Sequence, residues 1–133
     1  MERACLYVGL DPYLGLYHSE RYGKPALVLD LVEEFRVPIV DSAVFPLFMK
    51  GVFKNKKSFV RVGKGEYHLS PDGKRRIVEA LYMRLNEKIV WGGRRKTIKA
   101  IIEHQVRTLA QNFLGKCDRY HPFLYDTLVG KKT

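Results

Sequence analysis

The sequence predicts a mainly α-helical domain of about five helices with one small β-hairpin. Several segments place apolar residues at the three- and four-residue spacing of an amphipathic helix. One stretch instead has two strand-like runs, near 58–62 and 66–69, on either side of the glycine-rich turn 63–65. With 133 residues, of which 46% are hydrophobic, the chain fits a single domain spanning residues 1–133.

The first long helix is predicted from Pro25 to Arg36, and its acidic residues are its most informative feature. Proline suits the first turn of a helix, because its missing N–H has no intrahelical partner there. Asp30, Glu33 and Glu34 have the spacing of one helix face. We expect that face to turn away from the apolar stripe and therefore from the core.

The segment after this helix combines prolines with an apolar run. The pair Val37–Pro38 is expected to break the first helix, because the residue before a proline disfavours helical geometry. A second helix, apolar on nearly all sides and hence central, is predicted from Ile39 to about Val52. Pro46 should kink or shorten it.

The second half of the chain predicts two more long helices and a tail. One helix should begin after Ser70, a good N-cap residue, and the run 91–95 (WGGRR) is expected to be a loop. The last helix is predicted from 97 to 114. The aromatic segment 117–130 should fold back onto the body, while the final three residues fray.

The charge balance favours an anionic partner. The chain has 24 Lys and Arg against 14 Asp and Glu, a net charge of +10 and a pI near 9.7. Such an excess creates a positive potential over much of a small domain, and nucleic acid is its commonest partner, ahead of an anionic membrane. A merely basic, ribosome-like protein is the plainer alternative. Charge indicates neither a preferred DNA sequence nor a chemistry.

Other classes are disfavoured by the cysteines and the hydropathy pattern. Cys5 and Cys117 form no CxxC pair, so a zinc site is not expected, and a reducing cytoplasm is the default compartment. No run of about 18 apolar residues predicts a membrane span, and the N-terminus lacks the order of a signal peptide. The opening run ERACLYVGL resembles the end of an apolar element, which suggests a piece of a longer protein.

Basic residues form groups that could contact phosphates. One group surrounds the predicted hairpin, where a charged edge that prevents aggregation is an equally good interpretation. It comprises Lys54, Lys56, Lys57, Arg61 and Lys64. The others lie at helix starts, where positive charge opposes the helix dipole and a role with phosphate is slightly favoured. They comprise Lys74, Arg75, Arg76, Lys96 and Lys99, with Arg107 further along the last helix.

His18 and the acids Asp30 and Glu33 form half of a possible metal site. Oxygen ligands suit Mg²⁺, and one imidazole shifts the preference toward Mn²⁺. An acidic helix face and a lone histidine are common in proteins, however, so the pattern alone favours the structural interpretation. His121, in the run YHPF, could be catalytic, but a docked aromatic tail explains it better.

Four motifs, in order, resemble the CRISPR-associated integrase of spacer acquisition, the first CRISPR-associated (Cas) protein. The run GLDPYLGLYHSERYGKPALVLDLVEEFR matches that family's signature. EYHLSPDGKRRIVEALYMRL is similar to its Ser/Thr-Pro-x-Gly element and the helix after it. IIEHQVRTLAQNFLGK resembles its Gln-x-Arg-x-Leu-Ala helix, and YHPF its Tyr-x-Pro-Phe ending. The resemblance spans nearly the whole chain.

The resemblance implies a catalytic site built around Mn²⁺ or Mg²⁺. By motif, His18 is the metal-binding histidine, Glu33 is the second acid, and Asp30 supports or shares the ion. The family's first glutamate lies upstream, in a helix that this chain does not contain. We therefore expect the C-terminal helical part of a longer integrase, without its N-terminal β domain, to be nearly inactive by itself.

For the longer protein, the resemblance implies insertion of short foreign DNA fragments into a CRISPR array in the prokaryotic cytoplasm. A 3′-hydroxyl attacks a phosphodiester, and Lys24 is the best candidate for a phosphate contact near the metal. The family also implies a homodimer and a small second CRISPR-associated protein. The alternatives are a non-catalytic basic DNA-binding module or an interaction domain that docks through its aromatic tail.

Overall fold

A computed structural model of the protein describes residues 1–18, 22–54 and 58–124. These residues confirm the predicted mainly helical class, but they contain two antiparallel hairpins rather than one. The helices are α1 (Glu2–Tyr7), α2 (Ala26–Phe35), a π-helical turn (Arg36–Asp41), α3 (Ser42–Met49), α4 (Pro71–Asn86) and α5 (Ile98–Phe113). The strands are β1 (Phe59–Arg61), β2 (Tyr67–Leu69), β3 (Lys88–Trp91) and β4 (Arg94–Thr97).

The core is a cluster of buried side chains to which α2 and α5 contribute most, and helix periodicity explains which of their residues it contains. The buried residues of α2 recur every four positions, at Leu27, Leu31 and Phe35, as predicted for an apolar stripe. Those of α5 follow the same rule and include Ile98, Ile101, Ile102, Val106 and Leu109. Each fully buried side chain of this size contributes about 1.5–3 kcal/mol. This packing fixes the position of α2, which carries the acidic residues.

The helix does not break at Val37–Pro38, so that prediction is wrong. The backbone instead passes through the π-helical turn Arg36–Asp41 and continues into α3. Pro38 has no N–H to donate to the turn before it, and the wider turn accommodates this. The carbonyls there find other partners: Ser42 Oγ donates to Val37 O at 3.0 Å, and Arg84 Nε donates to Pro38 O at 2.8 Å.

The second helix is also shorter than predicted. It contains Pro46, as expected, but it ends at Met49 rather than near Val52. Gly51 has a φ of +69°, a left-handed conformation that ends helices and that glycine adopts without steric cost.

The first hairpin and the helix after it confirm the sequence prediction. β1 pairs with β2 in antiparallel register, from Phe59 opposite Leu69 to Arg61 opposite Tyr67. Ser70 caps α4, because its Oγ accepts a hydrogen bond from the Gly73 N–H at 3.0 Å.

The run 91–95 was predicted to be a loop, and it is the tip of a second hairpin. β3 and β4 pair from Lys88 opposite Thr97 to Trp91 opposite Arg94. Gly92 and Gly93 form the two-residue turn with φ values of +56° and +74°, as tight hairpin turns require. A Gly-Gly pair after the β-branched run Ile89–Val90 is a hairpin signal in the sequence.

The tail folds back onto the body, as predicted, through Leu124. Phe123 is buried and stacks on Phe35 of α2, with ring centroids 4.9 Å apart. The predicted fraying of the last three residues concerns positions outside the described ranges. Across those ranges, no helix combines the length and apolar character needed to cross a membrane.

Candidate functional site

Asp30 organises the loop that carries His18. Its Oδ2 accepts hydrogen bonds from the backbone N–H groups of Leu16, at 2.6 Å, and Tyr17, at 3.0 Å. Its Oδ1 accepts a third from the His18 N–H at 3.0 Å. One carboxylate thus satisfies three consecutive backbone donors and joins the loop to α2.

The same carboxylate orients the imidazole of His18. The Nδ1 of His18 lies 2.5 Å from Asp30 Oδ1. Burial alone would raise the pKa of Asp30, but the hydrogen bonds from Tyr17, the His18 ring, Leu16 and the His18 N–H lower it to about 2. An ionised carboxylate can only accept, so Nδ1 donates the proton. In the neutral imidazole, Nε2 of His18 is then the unprotonated nitrogen, the form that binds metal ions.

Gly15 allows this loop to approach α2, and the sequence prediction did not single it out. A Cβ atom at this position would lie 2.5 Å from His18 O and 2.6 Å from the Cβ of Ala26. Contacts that short do not occur, so any side chain would push the histidine loop away from the helix. The position of Gly15 between Asp11 and His18, in the run GLDPYLGLYH, was the sequence feature that could have indicated this role.

Glu33 follows Asp30 by about one helical turn and is much more exposed. Its side chain is 55% exposed, against 10% for Asp30 and 38% for His18. The Arg36 guanidinium lies 3.5 Å from its Oε2, which is a weak surface ion pair. The structure therefore brings His18 and Asp30 into contact and leaves Glu33 accessible on the same helix.

The donor set fits a divalent cation in part. An imidazole nitrogen and carboxylate oxygens are ligands that Mn²⁺ accepts and that Mg²⁺ tolerates. Within the described ranges, however, no three His, Cys, Asp or Glu side chains are grouped closely enough to hold a metal ion. His18, Asp30 and Glu33 are the ligands that the family resemblance predicts.

Glu34 has a structural role that the acidic-face prediction missed. Its two oxygens lie 2.7 and 2.9 Å from the Tyr120 hydroxyl, and Oε2 also accepts the Phe123 N–H at 2.9 Å. Burial, then the hydrogen bond to Glu34 and its charge, raise the pKa of Tyr120. The expectation that all three acids turn away from the core is wrong, because Asp30 and Glu34 bind other segments.

The predicted DNA-binding residues are spread over several elements. Lys24 is exposed just before α2. In the first turns of α4, Arg76 pairs with Asp72 at 2.9 Å and Arg75 with Glu79 at 3.5 Å, while Lys74 is exposed. The ion pairs of Arg75 and Arg76 are exposed and hence weak.

The remaining predicted contacts lie on and beside α5. Lys96 sits on β4, and Lys99 and Arg107 share one face of α5 because they are eight residues apart. In the hairpin group, Arg61 Nε donates to Gly63 O at 3.0 Å. Lys56 and Lys57 lie outside the described residues.

The protein is a basic helical domain in which a carboxylate holds a histidine, on a loop beside an acidic helix. These features describe its class of protein, and comparisons with known proteins identify its family. The family model described as "CRISPR associated protein Cas1" matches residues 1–82, more than half of the chain. The chain belongs to this family.

Named relatives agree with that assignment. The chain is 37% identical over 129 residues to CRISPR-associated endonuclease Cas1 3 of Thermus thermophilus, covering 92% of this chain and 37% of that protein. It is 32% identical over 123 residues to CRISPR-associated endonuclease Cas1 of Leptospira interrogans, covering 91% of this chain and 48% of that protein. The chain thus spans less than half the length of these relatives.

Two solved structures share the fold. A casposase bound to its integration product superposes with a TM-score of 0.80 at 35% identity, covering 88% of this chain and 34% of that one. A Cas1 protein from Thermotoga maritima superposes with a TM-score of 0.72 at 24% identity, covering 86% of this chain and 35% of that one. The second match supports the fold alone.

Proposed function

We propose that this chain is the C-terminal part of a metal-dependent DNA integrase and endonuclease that inserts short foreign DNA into a CRISPR array. One observation carries the proposal: Asp30 holds Nδ1 of His18 while Glu33 follows one turn later on the same helix. Membership of the Cas1 family and the similarity to a DNA-bound casposase support it.

In this proposal the three residues have separate roles. His18 Nε2 and the Glu33 carboxylate are the ligands of a Mn²⁺ or Mg²⁺ ion. Asp30 is a positioning residue, because its oxygens already accept from the loop and the imidazole. A carboxylate of this kind fixes the tautomer and direction of a metal-binding histidine.

The reaction we propose is a transesterification at phosphorus. The 3′-hydroxyl oxygen of the incoming DNA forms a bond to phosphorus as another P–O bond breaks, and the leaving oxygen takes up a proton. When bound, the divalent ion supplies charge stabilisation at the phosphate and favours ionisation of the attacking hydroxyl. Lys24, exposed before α2, contacts a nearby phosphate.

A complete site needs a further oxygen ligand. We propose that a glutamate of the longer protein supplies it, as the resemblance to the integrase family implies. We therefore expect the 133-residue chain to bind Mn²⁺ weakly and to cleave DNA very slowly. The homodimer and the small second CRISPR-associated protein also belong to this proposal, as partners of the longer protein.

A paired assay tests whether these residues supply enough ligands for cleavage. The wild-type chain and His18→Ala are each measured for duplex DNA binding and for Mn²⁺-dependent cleavage. We expect salt-sensitive binding by both and at most trace cleavage by either. Robust cleavage by the wild-type chain that His18→Ala abolishes would refute the need for a further ligand.

The main alternative is a non-catalytic basic DNA-binding module, which the net charge of +10 favours. The two functions differ in their response to metal. If the chain is part of an integrase, Mn²⁺ binding perturbs His18 and Glu33. If it is a non-catalytic DNA-binding module, Mn²⁺ has no preferred site, while DNA binding persists.

A further inference from the structure

An open cavity of about 420 Å³ lies between β3, α5 and the tail, and His18 does not line it. This volume falls in the roughly 300–1,000 Å³ range of small-molecule sites. Its walls are mostly apolar and aromatic and include Trp91, His104, Thr108, His121, Pro122 and Leu124. None of the roles proposed above uses it.

Aromatic groups from three elements meet at this cavity. The Trp91 and His104 rings have centroids 4.9 Å apart and an interplanar angle of 75°. Gln105, a buried residue of α5, donates from Nε2 to the His121 carbonyl at 3.0 Å and so holds the tail in place. The fold therefore holds the residues of the cavity wall in place, and the His121 side chain is exposed beside that wall.

Positive charge lies at the same place. The Lys96 Nζ sits over the Trp91 ring, 4.6 Å from its centroid. Burial, then the charges of Lys96 and Arg107, lower the pKa of His104 and so disfavour its charged form. An aromatic wall beside a lysine suits a ligand with an aromatic ring and a negative charge.

We propose that this cavity binds an unpaired nucleobase of DNA, with a neighbouring phosphate at Lys96. The inference rests on the proposed function, because a DNA-processing protein is what brings single-stranded ends to this surface. Bases within a duplex keep their faces stacked, whereas an unpaired base can pack against aromatic side chains irrespective of its identity. In this arrangement the cavity holds a single-stranded DNA end while exposed basic residues contact the duplex.

The chain offers a direct probe, because Trp91 is its single tryptophan. Oligothymidylate of five nucleotides is titrated while Trp91 fluorescence is recorded, and fluorescein anisotropy measures both this oligomer and a duplex. We expect saturable quenching by the oligomer. His121→Ala, which leaves the carbonyl bonded to Gln105, should weaken oligomer binding about tenfold without changing duplex affinity.

Two variants complete the test. Trp91→Leu, followed by anisotropy, should also weaken oligomer binding about tenfold. Tyr82→Ala, an exposed aromatic of α4, is the matched control and should bind like wild type. Unchanged oligomer binding by both His121→Ala and Trp91→Leu, with duplex binding intact, would overturn the cavity proposal alone. Failure of the wild-type chain to bind either DNA would overturn the proposed function as well.

Discussion

At the scale of single residues, Asp30 has the most consequences for function. It is 10% exposed, yet it is ionised because four donors surround it. The resemblance to the integrase family implies that it supports or shares a metal ion. The structure shows that its oxygens accept hydrogen bonds from the loop and that Glu33 is the more accessible acid.

Asp30→Asn should reduce the free energy of unfolding by about 1–2 kcal/mol near pH 6, because hydrogen bonds to an ionised acceptor are lost. The folded pKa of about 2 lies below the ordinary 3.8, so the stabilisation is present above pH 4 and is lost as the pH falls toward 2. Urea unfolding at pH 6 and pH 2.5 measures the change.

Glu33→Gln is the matched control for this substitution, since it removes one charge from the exposed position one turn away. It should leave the free energy of unfolding within about 0.5 kcal/mol of wild type. An Asp30→Asn deficit that is equally large at pH 2.5 would show that the carboxylate charge is not the cause.

At the scale of elements, the tail and α2 are joined through Glu34. Tyr120 and Phe123 both donate to its carboxylate, and Phe123 stacks on the neighbouring Phe35. Because Asp30 and Glu33 lie on α2, the tail stabilises the element that carries the candidate site.

A double-mutant cycle measures this connection. Glu34→Gln and Tyr120→Phe should each destabilise the chain by about 1–2 kcal/mol, because each removes a charge-assisted hydrogen bond. Because both substitutions alter the hydrogen bond between Glu34 and Tyr120, their effects should not add. The double variant should lose less free energy of unfolding than the two single variants together, by at least about 0.5 kcal/mol. Strict additivity in urea unfolding would show that the two groups do not interact in solution.

Elements with local signals were predictable from the sequence. The α2 stripe, the Ser70 cap and the first hairpin follow from spacing and from the side chains present. The π-helical turn was not predictable in this way. Arg84, which is 46 residues away, donates a hydrogen bond to Pro38 O in this turn, and local spacing cannot indicate such a contact. The role of Glu34 was missed for the same reason, since periodicity cannot indicate that a tail 86 residues later will supply donors.

At the scale of the whole molecule, the net charge of +10 dominates the expected encounter with DNA. Binding governed by phosphate contacts weakens linearly in log affinity as log salt rises, with a slope of about −0.9 per neutralised phosphate. Lys99→Gln should reduce the magnitude of that slope by about one. Anisotropy titrations with a duplex at several salt concentrations provide the slope.

Lys116→Gln is the control for the slope, because it removes the same charge beyond the other end of α5. The two positions are about 25 Å apart along a helix of this length. Equal reductions in slope by both substitutions would indicate a diffuse charge effect instead of contacts near the start of α5.

Mn²⁺ titration of the ¹⁵N-labelled chain determines whether His18 and Glu33 bind the divalent ion, as we propose. The four histidine side chains can be followed separately by NMR. His68 is an internal control, since its Nε2 lies 3.1 Å from Glu66 on an exposed hairpin. We expect substoichiometric Mn²⁺ to broaden the His18 signals first and Glu33→Gln to abolish this preference. Equal broadening of His18 and His68, or selectivity that survives Glu33→Gln, would contradict it.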